Sequence, residues 1–187
     1  MPTRDRLIDA ATRLLDEGGP AAVTLREVGR LAGVSHNAPY KHFAGKEDLL
    51  AAVAARQLGR QDRPGDGARD GPVGADALRR MMHSYVRWAM RYPARFKLTF
   101  GSWSTDSAEL AQAADAARAG LVAAVRTAQE AGDLPSEDPE RVAALILAVA
   151  HGAADLEISG HLARSGKGHA CAEDLVDDLL RHLARAR

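Results

Sequence analysis

Cysteine is nearly missing from this chain, with Cys171 alone among 187 residues. One thiol excludes an intrachain disulfide and fits a reducing compartment. Aromatic residues are scarce, at 4%, and runs of β-branched residues are absent, which argues against sheets. No apolar run approaches the ~18 residues of a membrane span. The start, Met1-Pro2-Thr3-Arg4-Asp5-Arg6, lacks the apolar stretch of a signal peptide. These absences lead us to expect a cytoplasmic protein with no membrane association. Excess charge is missing as well, since 25 basic residues meet 25 acidic ones. Residues 1–60 hold nine Lys/Arg against seven Asp/Glu, so recognition of nucleic acid would rest on where charges sit. H-E-x-x-H, G-x-S-x-G and G-x-G-x-x-G are all absent. The segment from Gly160 to Gly168 is one residue too long for a phosphate loop, and no Ser or Thr follows its lysine. His151/Asp155 and Glu157/His161 have chelating i, i+4 spacing but no evident third ligand. We expect no enzyme, no cofactor and no metal.

What is present is alanine and leucine in helical rhythm, within 46% hydrophobic residues. The expected fold is all-α, with about nine helices. Leu7, Ile8, Ala11, Leu14 and Leu15 line a first helix that Thr3 would cap and Gly18-Gly19-Pro20 would stop. Thr24 with Glu27 forms a capping box for a second helix. Ser35 would cap a third, ended by Gly45, and Lys46 opens a fourth. Residues 61–75, rich in Gly, Pro and Asp, read as a flexible loop. Beyond it the pattern gives helices at 75–91, from Pro93 through Phe100, and at 106–131, 138–164 and 172–186. The organisation expected is a first domain over 1–60, the loop over 61–75, and a second domain over 76–187.

The strongest local signal is a pair of short helices joined by Ala32-Gly33-Val34-Ser35. A helix-turn-helix needs a tight turn so that its second helix can enter the major groove. Gly33 supplies a left-handed turn, and Val34 packs between the helices. The segment His36-Asn37-Ala38-Pro39-Tyr40-Lys41-His42-Phe43 then carries DNA-contacting side chains. His36 and Asn37 lie where recognition helices meet base edges. Tyr40 and His42 suit phosphates, Lys41 a phosphate or a guanine. Phe43 points inward. Lys46, at the next helix start, suits a phosphate.

Thr24-Leu25-Arg26-Glu27-Val28, Ala32-Gly33-Val34-Ser35, Tyr40-Lys41-His42-Phe43 and Lys46-Glu47-Asp48-Leu49-Leu50 occur in order. Together they resemble the N-terminal signature of the TetR/AcrR regulators. Ala150-His151-Gly152 and Tyr92-Pro93 to Phe100 are similar to a subgroup with a Trp-His-Gly motif, with Ala150 in place of the tryptophan. Pro39 departs from the family's usual aliphatic residue. The resemblance implies contact with double-stranded operator DNA, with Thr24, Arg26 and Ser35 joining the residues above. It also implies a homodimer through the last two helices and a small-molecule effector that changes the spacing of the two recognition helices, the action of a repressor.

Leu175, Leu179 and Leu183 would serve such a dimer or close the monomer's own core. Met82, Tyr85, Trp88, Phe100, Trp103, His151 and Asp155 are the candidates for effector contact, with plain core packing as the alternative for each. A second reading keeps the DNA binding but gives the C-terminal helices a protein partner instead of a small molecule.

Overall fold

A computed structural model of the chain describes residues 1–61 and 74–185. The α-helices run α1 Thr3–Ala22, α2 Leu25–Leu31, α3 Lys46–Gln61, α4 Ala75–Arg91, α5 Pro93–Thr99, α6 Ala108–Glu130, α7 Pro139–Ile158 and α8 Ala172–Arg185, with a 3₁₀ turn at Pro39–Lys41. Among the described residues the only β pairing is an isolated bridge between Ala163 and Gly168. The all-α expectation therefore holds, with eight α-helices among the described residues where about nine helices were expected. The loop expected over 61–75 lies, apart from its ends, outside the described residues.

Packing divides the chain into two units, Met1–Arg63 with Tyr92–Ala117, and Pro64–Arg91 with Arg118–Arg187. Residues 92–117 pack with the N-terminal helices in this division.

In the first unit, α1 buries Leu7, Ile8, Ala11, Leu14 and Leu15, the helical stripe read from the sequence. Thr3 is the first residue of the helix rather than its cap, since Pro2 holds the N-cap position and makes no side-chain bond. Helical dihedral angles stop at Gly18 and Gly19 (φ −142° and 68°), so the last turn around Pro20 is separate from the main helix. Leu25, Val28, Leu49, Val53 and Phe43 complete one core with α1. Two arginines clamp it from outside. Arg56 on α3 bonds to Asp5 and Asp9 of α1 at 2.5 and 2.8 Å. Arg95 on α5 bonds Asp16 at 2.7 Å and lies 4.1 Å over the Tyr92 ring.

In the second unit α4, α7 and α8 pack on one another. Leu78, Met82, Tyr85 and Val86 of α4, Val142, Ile146 and Ala150 of α7, and Val176 and Leu180 of α8 are buried in it. Helix ends are closed locally. Asp138 accepts from the Glu140 N–H at 3.0 Å with Pro139 at the first helical position, and Asp133 accepts from the first N–H of α4 at 3.0 Å. Helix α7 stops at Ile158, six residues before its expected end, because Gly160 turns left-handed at φ 72° and His161 donates back to the Leu156 carbonyl at 2.7 Å. Asp174 then accepts from the Cys171 N–H at 2.9 Å and both arms of Arg164 at 2.7 Å. Arg164 holds its carboxyl far below the usual carboxylate range, and burial pushes the Cys171 thiol upward, away from the reactive thiolate. No helix among the described residues is long and apolar enough to cross a membrane.

Candidate nucleic-acid interface

The turn between α2 and the following segment is fixed by backbone bonds. Val34 N–H donates to the Gly29 carbonyl at 3.1 Å and Gly33 N–H to that of Arg30 at 3.2 Å, the paired closure of a Schellman motif. Gly33 has φ 63°, a region costly for any residue with a Cβ. The Arg6 guanidinium on α1 donates to the carbonyls of Ala32 and Gly33, so α1 holds the turn from behind. Thr24 caps α2 by accepting from the Glu27 N–H at 3.2 Å. The expected capping box forms only by half, because the Glu27 carboxylate instead takes Arg30 at 3.0 Å.

The expected third helix, capped by Ser35, is not an α-helix. Ala38 bonds to Ser35, Lys41 to Ala38 and His42 to Pro39, each three residues apart, and the 3₁₀ turn has no side-chain cap. Pro39 explains this. It has no N–H to donate to the Ser35 carbonyl, so the i to i−4 ladder cannot start there. Its ring instead fills the core position that an aliphatic residue would take. Pro39 is buried, and a Cβ built on Gly29 would lie 3.0 Å from its Cγ. Gly29 is what lets the segment approach α2 so closely. Phe43, 3% exposed, anchors the other end under the Arg4 guanidinium at 5.4 Å.

With Pro39 and Phe43 inward, the remaining side chains face solvent. Thr24, Arg26, Ser35, His36, Asn37, Tyr40, Lys41, His42 and Lys46 are all exposed. Tyr40 is 56% exposed, and its ring meets that of His36 edge-on at 6.2 Å. Among the described residues Arg26, Lys41 and Lys46 have no carboxylate within ion-pair distance, whereas Arg30 is paired to Glu27. Three cations with hydroxyl, imidazole and amide groups between them have the composition of a surface for phosphates and base edges.

The seven effector candidates fall into two groups. Phe100 and Trp103 belong to the first unit. Phe100 is 40% exposed with its ring 5.6 Å from Phe96, and Trp103 packs half-buried on that unit's core. Met82, Tyr85, Trp88, His151 and Asp155 belong to the second. Met82 and Tyr85 are buried, Trp88 and His151 half-buried, and Asp155 exposed. The Tyr85 and Trp88 rings lie 6.2 Å apart, and the Tyr85 hydroxyl is 2.9 Å from His151 Nδ1. Burial pushes the Tyr85 pKa well up. It pushes that of His151 down from 6.5, with Asp155 opposing more weakly. The hydroxyl and the imidazole are thus hydrogen-bonded to one another, with the donor set by the imidazole tautomer.

An imidazole whose folded pKa lies below its unfolded value stabilises the fold fully above the unfolded value. That contribution is lost as pH falls from there through the folded value. Between about pH 7.5 and pH 5, urea stability is expected to fall more in the wild type than in His151→Gln, followed by circular dichroism. Parallel pH profiles would remove His151 from the response.

Sequence reasoning missed Arg6 and the Gly29–Pro39 contact, since neither leaves a periodic or motif signal. Among the described residues no group of three or more His, Cys, Asp or Glu is placed to hold a metal.

Two family models match the chain. "Bacterial regulatory proteins, tetR family" covers residues 7–53, and "Tetracyclin repressor-like, C-terminal domain" covers residues 78–179. The transcriptional regulator BetI of Rhizobium meliloti (strain 1021) is 42% identical over 57 residues, which are 30% of this chain and 28% of that protein. The regulator SrpR of Pseudomonas putida is 45% identical over 53 residues, 28% of this chain and 25% of that protein. The matched stretch thus spans about a quarter of either relative's length. Among solved structures, a protein with unknown function from Rhodococcus sp. RHA1 superposes with TM-score 0.82 at 27% identity, over 100% of this chain and 95% of that one. The regulator FadR from Bacillus subtilis, in complex with stearoyl-CoA, superposes with TM-score 0.71 at 15% identity, over 98% of each chain. At that identity the likeness is one of fold alone.

Proposed function

The chain belongs to the TetR family of DNA-binding transcriptional regulators, and from that premise we propose that it is a cytoplasmic homodimeric repressor, released from its operator by a small-molecule effector. The observation that carries the DNA reading is the sorting of residues 24–46. Pro39 and Phe43 seat the segment, while nine polar side chains, three of them unpaired cations, are left outward. In this reading Thr24, Arg26, Tyr40, His42 and Lys46 hold phosphates and fix register. Ser35, His36 and Asn37 lie toward base edges, and Lys41 serves either. The division of labour expected from the sequence stands within the proposal, with DNA contact over 1–60 and effector binding and dimerisation over 76–187. So does the kinship with the Trp-His-Gly subgroup, carried by His151-Gly152.

The dimer is proposed through α7 and α8. Helix α7 leaves Leu145 and Leu156 45% and 46% exposed, with Ala144 and Ala148 exposed beside them, an apolar stripe opposite the face it buries. Leu175, Leu179 and Leu183 on α8 are half-buried at i, i+4 spacing. Pairing about a two-fold axis would set two reading segments ~34 Å apart, one DNA turn. Leu145→Glu, at an exposed site, is expected to raise the dimer dissociation constant at least tenfold in sedimentation equilibrium without lowering helix content. A variant that dimerises like the wild type would move the interface elsewhere. A wild type that is monomeric would instead favour a protein partner for this stripe.

The effector site is proposed around Tyr85, Trp88 and His151, where a buried hydroxyl and an imidazole lie beside an indole. The DNA reading is tested by fluorescence anisotropy with duplexes from the chain's own upstream region and of random sequence. Preferential binding of the former, lost in Tyr40→Ala, is expected. Equal binding by wild type and variant would overturn it.

A further inference from the structure

The first unit carries a groove that shares only Lys46 with the proposed DNA surface and no residue with the proposed effector site. It lies between the end of α1, the first turns of α3, and α5 with the residues after it, and has a volume of about 780 Å³. This is within the range of small-molecule sites, ~300–1,000 Å³. Leu50, Leu98 and Trp103 give it an apolar floor. Leu50 is buried in the core of the unit, and Leu98 and Trp103 pack half-buried against that core, so the floor is fixed. Lys46 and Lys97 stand at its sides, both exposed.

The charges at the groove are not balanced internally. Among the described residues neither lysine has a carboxylate within ion-pair distance. One carboxylate, Glu47, does line the groove, but both of its oxygens are committed. Oε1 accepts from the Ser104 N–H at 3.1 Å and lies 2.6 Å from its hydroxyl, as does Oε2. Two ammonium groups thus stand against one carboxylate, which keeps its charge but is turned to Ser104, so the apolar trough carries an excess of positive charge.

We propose that this groove binds an amphipathic anion, with an apolar body lying over Leu50, Leu98 and Trp103 and an acidic head held by Lys46 and Lys97. The complementarity is specific in both parts. A plain anion would leave the floor in water, and an uncharged apolar molecule would leave the lysines unanswered. The groove has a further consequence, which rests on the DNA reading above. Lys46 is there assigned to a phosphate, so an acidic head in the groove and a DNA phosphate compete for one side chain.

The test uses two fluorescent probes of nearly equal body. 1-Anilinonaphthalene-8-sulfonate carries an acidic head, and N-phenyl-1-naphthylamine lacks it. Each is titrated into the full chain without DNA. The sulfonate is expected to bind more tightly than the amine. Lys97→Glu is expected to weaken the sulfonate at least tenfold and leave the amine within about twofold, with Lys97→Gln intermediate. Ser102→Trp, which fills the groove from its exposed rim, is expected to weaken both. Thermal melts matching the wild type establish that these surface variants are folded. Sulfonate affinity indifferent to both Lys97→Glu and Ser102→Trp would place the probe elsewhere and overturn the proposal, as would equal affinity for the two probes. Random-sequence duplex at low salt is then added. A raised apparent dissociation constant for the sulfonate supports the competition for Lys46. An unchanged value, with the Lys97 effect intact, overturns the competition but leaves the groove as a binding site.

Discussion

Phe43→Ala is expected to cost about 3–5 kcal/mol of folding stability, a large part of the ~5–15 kcal/mol that holds an ordinary domain together. The ring is 3% exposed, lies in the core formed by α1, α2 and α3, and is covered by the Arg4 guanidinium. Its removal deletes that contact and leaves a cavity that the surrounding helices fill only in part. It should also abolish DNA binding, because Phe43 is the anchor at one end of the segment that carries Tyr40, Lys41 and His42. Tyr40→Ala separates the two effects. At 56% exposure it should change stability by no more than about 0.5 kcal/mol while weakening DNA binding. Chemical denaturation and DNA titration on the same two variants check this. Equal stability losses in both would mean that the sorting of inward and outward residues is wrong.

Gly29→Leu should be nearly as damaging, by a different route. The added Cβ alone would sit 3.0 Å from Pro39 Cγ and 3.9 Å from Val34 Cγ2, and the three carbons beyond it need space that the proline ring occupies. Overpacking of this kind costs about 1–3 kcal/mol or more, and the cheapest relief is to push the 35–43 segment away from α2. DNA affinity should therefore fall at least tenfold even where most of the chain stays folded. The milder pair Gly29→Ala and Pro39→Ala makes the mechanism testable. Shortening the ring should relieve the added methyl, so the double variant should be more stable than the sum of the single losses predicts. Strict additivity would show that the two residues do not press on one another.

Periodicity reveals surfaces that face a core, and so the helices of this chain were readable where one apolar stripe repeats. Leu7, Ile8, Ala11, Leu14 and Leu15 are an example, and all are buried. The helix-turn-helix was readable for a second reason, since Thr24, Gly33 and Phe43 each have a backbone or packing duty that few other residues perform. What failed depended on single atoms or distant partners. The 35–43 segment reads as a capped helix until the missing Pro39 N–H is counted against the ladder it must start. Helix α7 has apolar residues that would continue its pattern, yet the left-handed Gly160 ends it. Arg6 reaches two carbonyls 26 and 27 residues away, and no local pattern announces that. Of the candidate sites, the proposed DNA surface could be put forward from the sequence because its chemistry lies in one short stretch. The lysine-flanked groove could not, because α1, α3 and α5 must first be brought together.

The most direct test of the account is the salt dependence of binding to DNA from the chain's own upstream region, from about 50 to about 200 mM, for the wild type and for Lys46→Ala. Phosphate contacts made by two subunits predict an affinity that falls by about 10³ or more across that range. They also predict a log–log slope reduced by about 1 for each copy of Lys46 removed. Binding that is flat with salt and unchanged in Lys46→Ala would contradict the assignment of this surface to DNA.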